Sequence, residues 1–158
     1  MPGGQPLRHP VLGVATGLVL GPVVLTACAR PVEVPVPTPA ADVAVACARF
    51  TAALPAELST VGERRDVTPD SELTAAYGDP AVGVRCGVAE PDSLSPTSAL
   101  ITVEGIDWLA EELTGGWRLT SIGRTANVEL TVPTEQGPAP SVAADLAPTL
   151  AATLPPAD

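Results

Sequence analysis

Between Val128 and Val132 apolar and polar residues alternate: Val128, Leu130 and Val132 are separated by Glu129 and Thr131. A period of two predicts a strand with one buried face. Extended runs of the same kind are "AVGVRCGV" (residues 81–88), "ALITVEG" (99–105) and "GWRLTSIGR" (116–124), with a shorter one in "ERRDVT" (63–68). "DWLAEEL" (107–113) fits two patterns, a short helix capped by Asp107 or a strand turning at Gly115-Gly116; Gly-Gly is a hairpin signal and favours the strand. The period becomes helical at Val43, Cys47, Phe50 and Leu54, which share one face. Thr38 would cap that helix with Pro39 at its first position, Asp42 would lie in its first turn, and Pro55 would close it. "DLAPTLAATL" (145–154) predicts a last helix with Asp145 as its cap and Pro148 in its first turn, after a linker marked by Pro133, Pro138 and Pro140. Helix, strands, helix is the order of an α+β domain. The expectation is an antiparallel sheet of four to five short strands flanked by an N-terminal and a C-terminal helix.

One apolar run stands apart. "VLGVATGLVLGPVVL" (11–25) follows Arg8 and His9, a basic start and apolar core of signal-peptide length. It is shorter than the ~20 residues of a comfortable membrane span, and Gly13, Gly17, Gly21 and Pro22 weaken a long helix. An uncleaved membrane anchor is the competing reading. The run ends in "LTAC", Leu25 to Cys28, which resembles a bacterial lipobox: a branched apolar residue and two small ones before a cysteine. The resemblance implies cleavage before Cys28, a diacylglycerol on its sulfur and acylation, such as palmitate, of the new amino group. Two or three chains hold a protein on a membrane where one alone is marginal. The expected organisation is therefore a signal peptide at 1–27, a lipidated Cys28 with a proline-rich stalk at 28–40, and one domain at 41–158. The stalk, "ARPVEVPVPTPA" (29–40), favours polyproline II and would hold the domain roughly 30 Å from the membrane. The localisation expected is the extracytoplasmic face of the cell membrane.

Composition narrows the function classes. The chain of 158 residues suffices for one modest domain. Eight basic residues face 18 acidic ones, for a net charge of -10, which argues against a nucleic-acid partner. All eight basic residues are arginine, and the Ala, Val and Pro content suggests a high-GC genome. Removal of residues 1–27 leaves 131 residues with seven arginines, no lysine and no histidine. That excludes Ser-His-Asp and Cys-His catalysis; no phosphate loop is present, and the Cys and His count is too small for a zinc site. No catalytic residue, metal site or cofactor is expected. Carboxylates remain, among them Glu104, Asp107, Glu111 and Glu112, so a carboxylate-dependent hydrolase of a wall polymer is the alternative function.

Of three cysteines, lipidation takes Cys28 and leaves Cys47 and Cys86. Outside the cytoplasm such a pair usually oxidises, although two buried free thiols also fit. A redox-active pair is disfavoured because there is no C-x-x-C.

Several short motifs follow one another in a characteristic order: the cysteine helix ending "AALP" (52–55), "YGDP" (77–80), "VRCG" (84–87), "GIDW" (105–108), Gly123-Arg124 and "VELTVP" (128–133). Together they resemble an actinobacterial family of exported proteins known as domain of unknown function number 3515, over roughly residues 43–154. Tyr77 stands where a tryptophan is expected. The resemblance implies an envelope protein of high-GC Gram-positive bacteria and no particular reaction.

Four residues are the candidates for a binding site: Arg85, Asp107, Trp108 and Arg124. An arginine beside a disulfide cysteine and an Asp-Trp pair at a strand turn suit a carboxylate or polar envelope fragment. Each also has a structural explanation. Asp107 can hold a turn, Trp108 can fill a core poor in aromatics, and Arg85 can pair with an acid. The function expected is a non-enzymatic binding or assembly module, anchored to the membrane by lipid, whose partner is an envelope protein or wall component. The solute receptor of a transporter is disfavoured, because such receptors close two lobes around a ligand.

Overall fold

The computed structural model describes residues 30–157 together with Met1, Gly3 and Gly4. Cys28 and the apolar run before it lie outside the described residues. In chain order the elements are β1 (Val32–Glu33), α1 (Ala41–Ala53), β2 (Glu57–Leu58), β3 (Gly62–Arg65), β4 (Val67–Thr68), β5 (Thr74–Tyr77), β6 (Val82–Val88), β7 (Leu100–Val103), β8 (Ile106–Leu113), β9 (Gly116–Ile122), β10 (Asn127–Pro133), a 3-10 turn (Thr134–Gln136) and α2 (Ala139–Thr153).

The alternating strand β10 lies inside the sheet, between β6 and β9. The full order is β2-β3-β5-β6-β10-β9-β8-β7, antiparallel throughout. The molecule is α+β as expected, but its sheet has eight strands rather than four or five. "DWLAEEL" is a strand: β8 pairs with β9 from Asp107↔Ile122 to Leu113↔Gly116, around a two-residue turn at Thr114-Gly115.

Register sorts the side chains into two faces. Leu130 lies between Val84 and Leu119, and Val128 beside Cys86. These residues share a core with Cys47, Phe50 and Leu54 of α1 and with Val142, Leu146 and Leu150 of α2. Both helices thus cover one face of the sheet and touch each other. Each large apolar side chain buried there stabilises by roughly 1.5–3 kcal/mol. The Val43-Cys47-Phe50-Leu54 stripe faces inward as expected, with Val43 only partly buried. Cys47 and Cys86 are joined in a disulfide that ties α1 to β6 across 39 residues, with Cα atoms 5.4 Å apart.

Three expectations need correction. First, α1 begins at Ala41 with Ala40 as its N-cap and no side-chain cap; Thr38 and Pro39 belong to the extended segment before it. Second, α2 begins at Ala139, so Asp145 is in its middle and Pro148 lies inside the helix. Pro138 and Pro140 do not mark a linker. They occupy the cap and the first turn, where a fixed φ and a missing N–H suit a helix start. Asp145 reaches outward and accepts hydrogen bonds from Ser59 Oγ (2.7 Å), Thr60 N (2.9 Å) and Thr60 Oγ1 (2.8 Å), pinning the β2–β3 turn to the helix. Burial alone would raise the Asp145 pKa, but these hydrogen bonds outweigh it and hold the carboxyl below its ordinary value.

Third, the proline-rich segment is not a free stalk. Val32 N donates to Asp66 O (2.8 Å) and Val34 N to Thr68 O (3.0 Å), and β1 runs parallel to β4. Val34 and Pro37 are buried while their neighbours Glu33, Pro35, Val36 and Thr38 are exposed. That spacing of three is the period of polyproline II, one edge of which is laid against the body. The folded unit therefore starts at Val32, not at residue 41, and the segment works as a strap.

Candidate functional site

The face of the sheet away from the helices carries the chemistry. Arg85 of β6 is directly opposite Glu129 of β10, and Thr131 is opposite Arg118 of β9, which is opposite Glu111 of β8. Strand alternation turns all of these away from the Val84-Leu130-Leu119 core. Glu129 is 9% exposed, and a carboxylate so deep needs partners. Arg85 Nη1 supplies one at 2.8 Å, and Arg118 Nε lies 3.5 Å from its other oxygen. Arg118 Nη1 is 3.8 Å from Glu111 Oε2, and Ser93 Oγ donates to Glu111 Oε1 (2.7 Å). Ser93 comes from the β6–β7 loop, which overhangs this face and closes a cleft of about 350 Å³ lined by Asp92, Ser93, Glu111, Arg118 and Glu129.

The cluster is formally neutral, with two arginines against Glu111 and Glu129. Beside it, among the described residues, the buried Thr120 Oγ1 has no hydrogen-bond partner, and Arg118 Nε, within ion-pair distance of Glu129, makes no hydrogen bond. A second concavity, of about 380 Å³, is apolar and lies on the helix-covered face. Trp117, 42% exposed, stands in it with Ile101, Ala110, Leu119, Pro138 and Pro140.

The four residues singled out from sequence do not meet. Arg85 is in the polar cluster, where its Nε also donates to Pro35 O of the strap (2.9 Å). Asp107 is exposed on the same face and accepts from Thr102 Oγ1 across the β7–β8 pair (2.6 Å). Trp108, its neighbour on the strand, points the other way and is fully buried in the core; its indole Nε1 has no partner among the described residues. Arg124 lies beyond the end of β9, bridged to Pro156, beside Thr38, Pro39 and Gly87. Arg85 and Asp107 are on strands three spacings apart, ~14 Å.

The four carboxylates fare similarly. Glu104 is in the β7–β8 turn with φ 50°, Glu112 is exposed on the side of Trp117, and Asp107 and Glu111 are four residues apart along one strand, ~13 Å. Retaining or inverting glycosidases hold their two acids within about 5–9.5 Å, so Asp107 and Glu111 do not form such a pair. Arg118, Glu129 and Ser93 were not singled out from sequence. Alternation within "GWRLTSI" and "VELTV" could have placed Arg118 and Glu129 on the face opposite the apolar residues. Among the described residues no group of three or more His, Cys, Asp or Glu could hold a metal ion, and no helix is long and apolar enough to cross a membrane.

An eight-stranded antiparallel sheet with two helices on one face, a helix-to-sheet disulfide and an N-terminal strap define a small α+β domain. The chain belongs to the family described as "protein of unknown function (DUF3515)", which matches residues 9–158. No curated protein and no solved structure matches it.

Proposed function

We propose that this protein is a lipid-anchored component of a bacterial cell envelope, held through Cys28 at the outer face of the cytoplasmic membrane. Its role there is binding or assembly rather than catalysis. The observation that carries the reading is the "LTAC" junction: an apolar run too short to span comfortably ends at a thiol where lipoproteins are acylated. The position of the folded unit is consistent with it. Val32 is the first residue of a strand, so Cys28 precedes the paired part of the chain by four positions. The membrane reaches the protein through lipid, and the partner in view is an envelope protein or wall component.

Binding is favoured over hydrolysis by the state of the two glutamates in the polar cleft. Glu111 and Glu129 both line it, but each is engaged with Arg118, and Glu129 also with Arg85. A general acid or base needs a proton it can exchange with substrate, whereas these carboxylates neutralise arginines.

The test is a Cys28→Ser exchange in cells, followed by fractionation and by pull-down from crosslinked membranes. The wild-type protein is expected in the membrane fraction with a reproducible partner that depends on the domain. Cys28→Ser is expected in the medium, or stranded as full-length precursor. A Cys28→Ser protein processed and membrane-bound like the wild type would contradict the anchor. Wall-polymer cleavage by the purified domain, lost in Glu111→Gln, would contradict the non-enzymatic role.

A further inference from the structure

We infer that the strap fixes how the domain sits on the bilayer: the end of the molecule around the β1–β4 pair and Arg65 faces the headgroups, and the Trp117 groove faces away from them. The inference rests on the lipid-anchor reading of Cys28 and adds an orientation to it.

Chain length sets the limit. Arg30 O already accepts a hydrogen bond from Arg65 Nη2 (3.1 Å), and Val32 N from there on is bound to Asp66 O (2.8 Å). Only Ala29 stands between Cys28 and Arg30. Fully extended, the chain spans ~7 Å from Cys28 to Arg30 and ~14 Å to Val32. A folded unit of this size has a radius of gyration of ~14 Å, hence a diameter of roughly 36 Å. Its far side cannot swing to the surface that holds a leash so short.

Trp117 is well beyond the reach of that leash. Register runs from Arg65 to Ala76, Gly83, Thr131 and Arg118, four strand spacings and ~19 Å across the sheet. Trp117 is next to Arg118 and projects from the helix-covered face, whereas the strap is held to the opposite one through Arg85 Nε and Pro35 O. The strap stays down because Val34 and Pro37 are buried and its amides are paired, so the orientation does not depend on charge. A free stalk of the same length would have let the domain tumble and stand about 30 Å away.

The lipid-bound protein, purified from membranes and reconstituted into phosphatidylcholine vesicles with a headgroup nitroxide quencher, tests this directly. Trp108 is buried in the core, so Trp117 is the tryptophan open to a quencher. Wild-type emission is expected to be nearly unquenched. A Trp117→Phe protein carrying Glu33→Trp, or as a second variant Thr68→Trp, is expected to be quenched several-fold more. Mass spectrometry of the same sample reports acylation of Cys28. With acylation present, equal quenching of Trp117 and the strap tryptophans, or quenching of neither, overturns the orientation alone. A membrane-bound sample with unmodified Cys28 overturns the anchor and the orientation together.

Discussion

Nε of Arg85 donates a hydrogen bond to the carbonyl oxygen of Pro35, 2.9 Å away, while Nη1 of the same guanidinium pairs with Glu129 at 2.8 Å. One side chain thereby joins the strap to the middle of the sheet and compensates a carboxylate that is nearly buried. The planar fork of arginine makes the two bonds from separate nitrogens held in one plane, whereas lysine would have to make both from a single nitrogen. Polyproline segments have no internal hydrogen bonds, so contacts of this kind decide whether the segment is a strap or a spacer.

Arg85→Ala should therefore loosen the strap and destabilise the domain by about 2 kcal/mol, the scale of hydrogen bonds to charged groups. Amide hydrogen exchange distinguishes the two effects. The amides of Val32 and Val34 should lose protection well beyond those of β10. Unchanged protection at Val32 and Val34 would show that Arg85 does not hold the strap.

Gly87 follows the disulfide cysteine with φ 87°, and a Cβ there would lie 2.7 Å from Cγ of Pro39. Both the backbone and the strap thus require glycine in "VRCG". Gly87→Ala is expected to cost about 2 kcal/mol through strain and displacement of Pro39. Urea denaturation measures it, and a stability equal to wild type would refute the close approach.

The Cys47–Cys86 bond closes a loop of 39 residues, worth roughly 4 kcal/mol in the chain-entropy model. The double variant Cys47→Ser, Cys86→Ser should unfold at markedly lower urea concentration, and reductant should move the wild type toward it. A double variant as stable as the oxidised wild type would mean that the cross-link adds nothing.

Asp145 gives a pH dependence with a defined sign. Its folded-state pKa is held below the ordinary value by Ser59 and Thr60, against the effect of burial. Its stabilisation is present above the unfolded-state pKa and is lost as pH falls through the folded one. Asp145→Asn should cost about 1 kcal/mol at neutral pH, a discounted figure for a half-exposed carboxylate. The variant should also lose less stability than wild type between about pH 5 and pH 2. Parallel pH profiles would exclude Asp145 as the source.

Much of the fold was legible in local pattern, because β6, β9 and β10 carry apolar residues on one face and polar ones on the other. The helix stripe through Cys47 and the hairpin at Gly115 were equally local. β5 was not legible: "TAAY" is buried at all four positions and so shows no alternation, and two alanines argue weakly for a strand. β1, β2 and β4 are two residues each and exist through pairing that no local pattern reports. The strap escaped for a similar reason. Composition indicates an extended proline segment but not the surface beneath it. At the candidate site, Arg85 was found, yet Asp107 and Trp108 could share a pocket only if "DWLAEEL" were not a strand, since neighbours on a strand point to opposite faces.

Whether the membrane holds this protein at Cys28 is decided by intact-mass and peptide mass spectrometry of the membrane-extracted protein. A chain that begins at Cys28 and carries a diacylglycerol on sulfur, with or without a further acyl group on its amine, is expected. A chain that still begins at Met1, with Cys28 unmodified, would contradict it and restore the uncleaved apolar segment as the anchor.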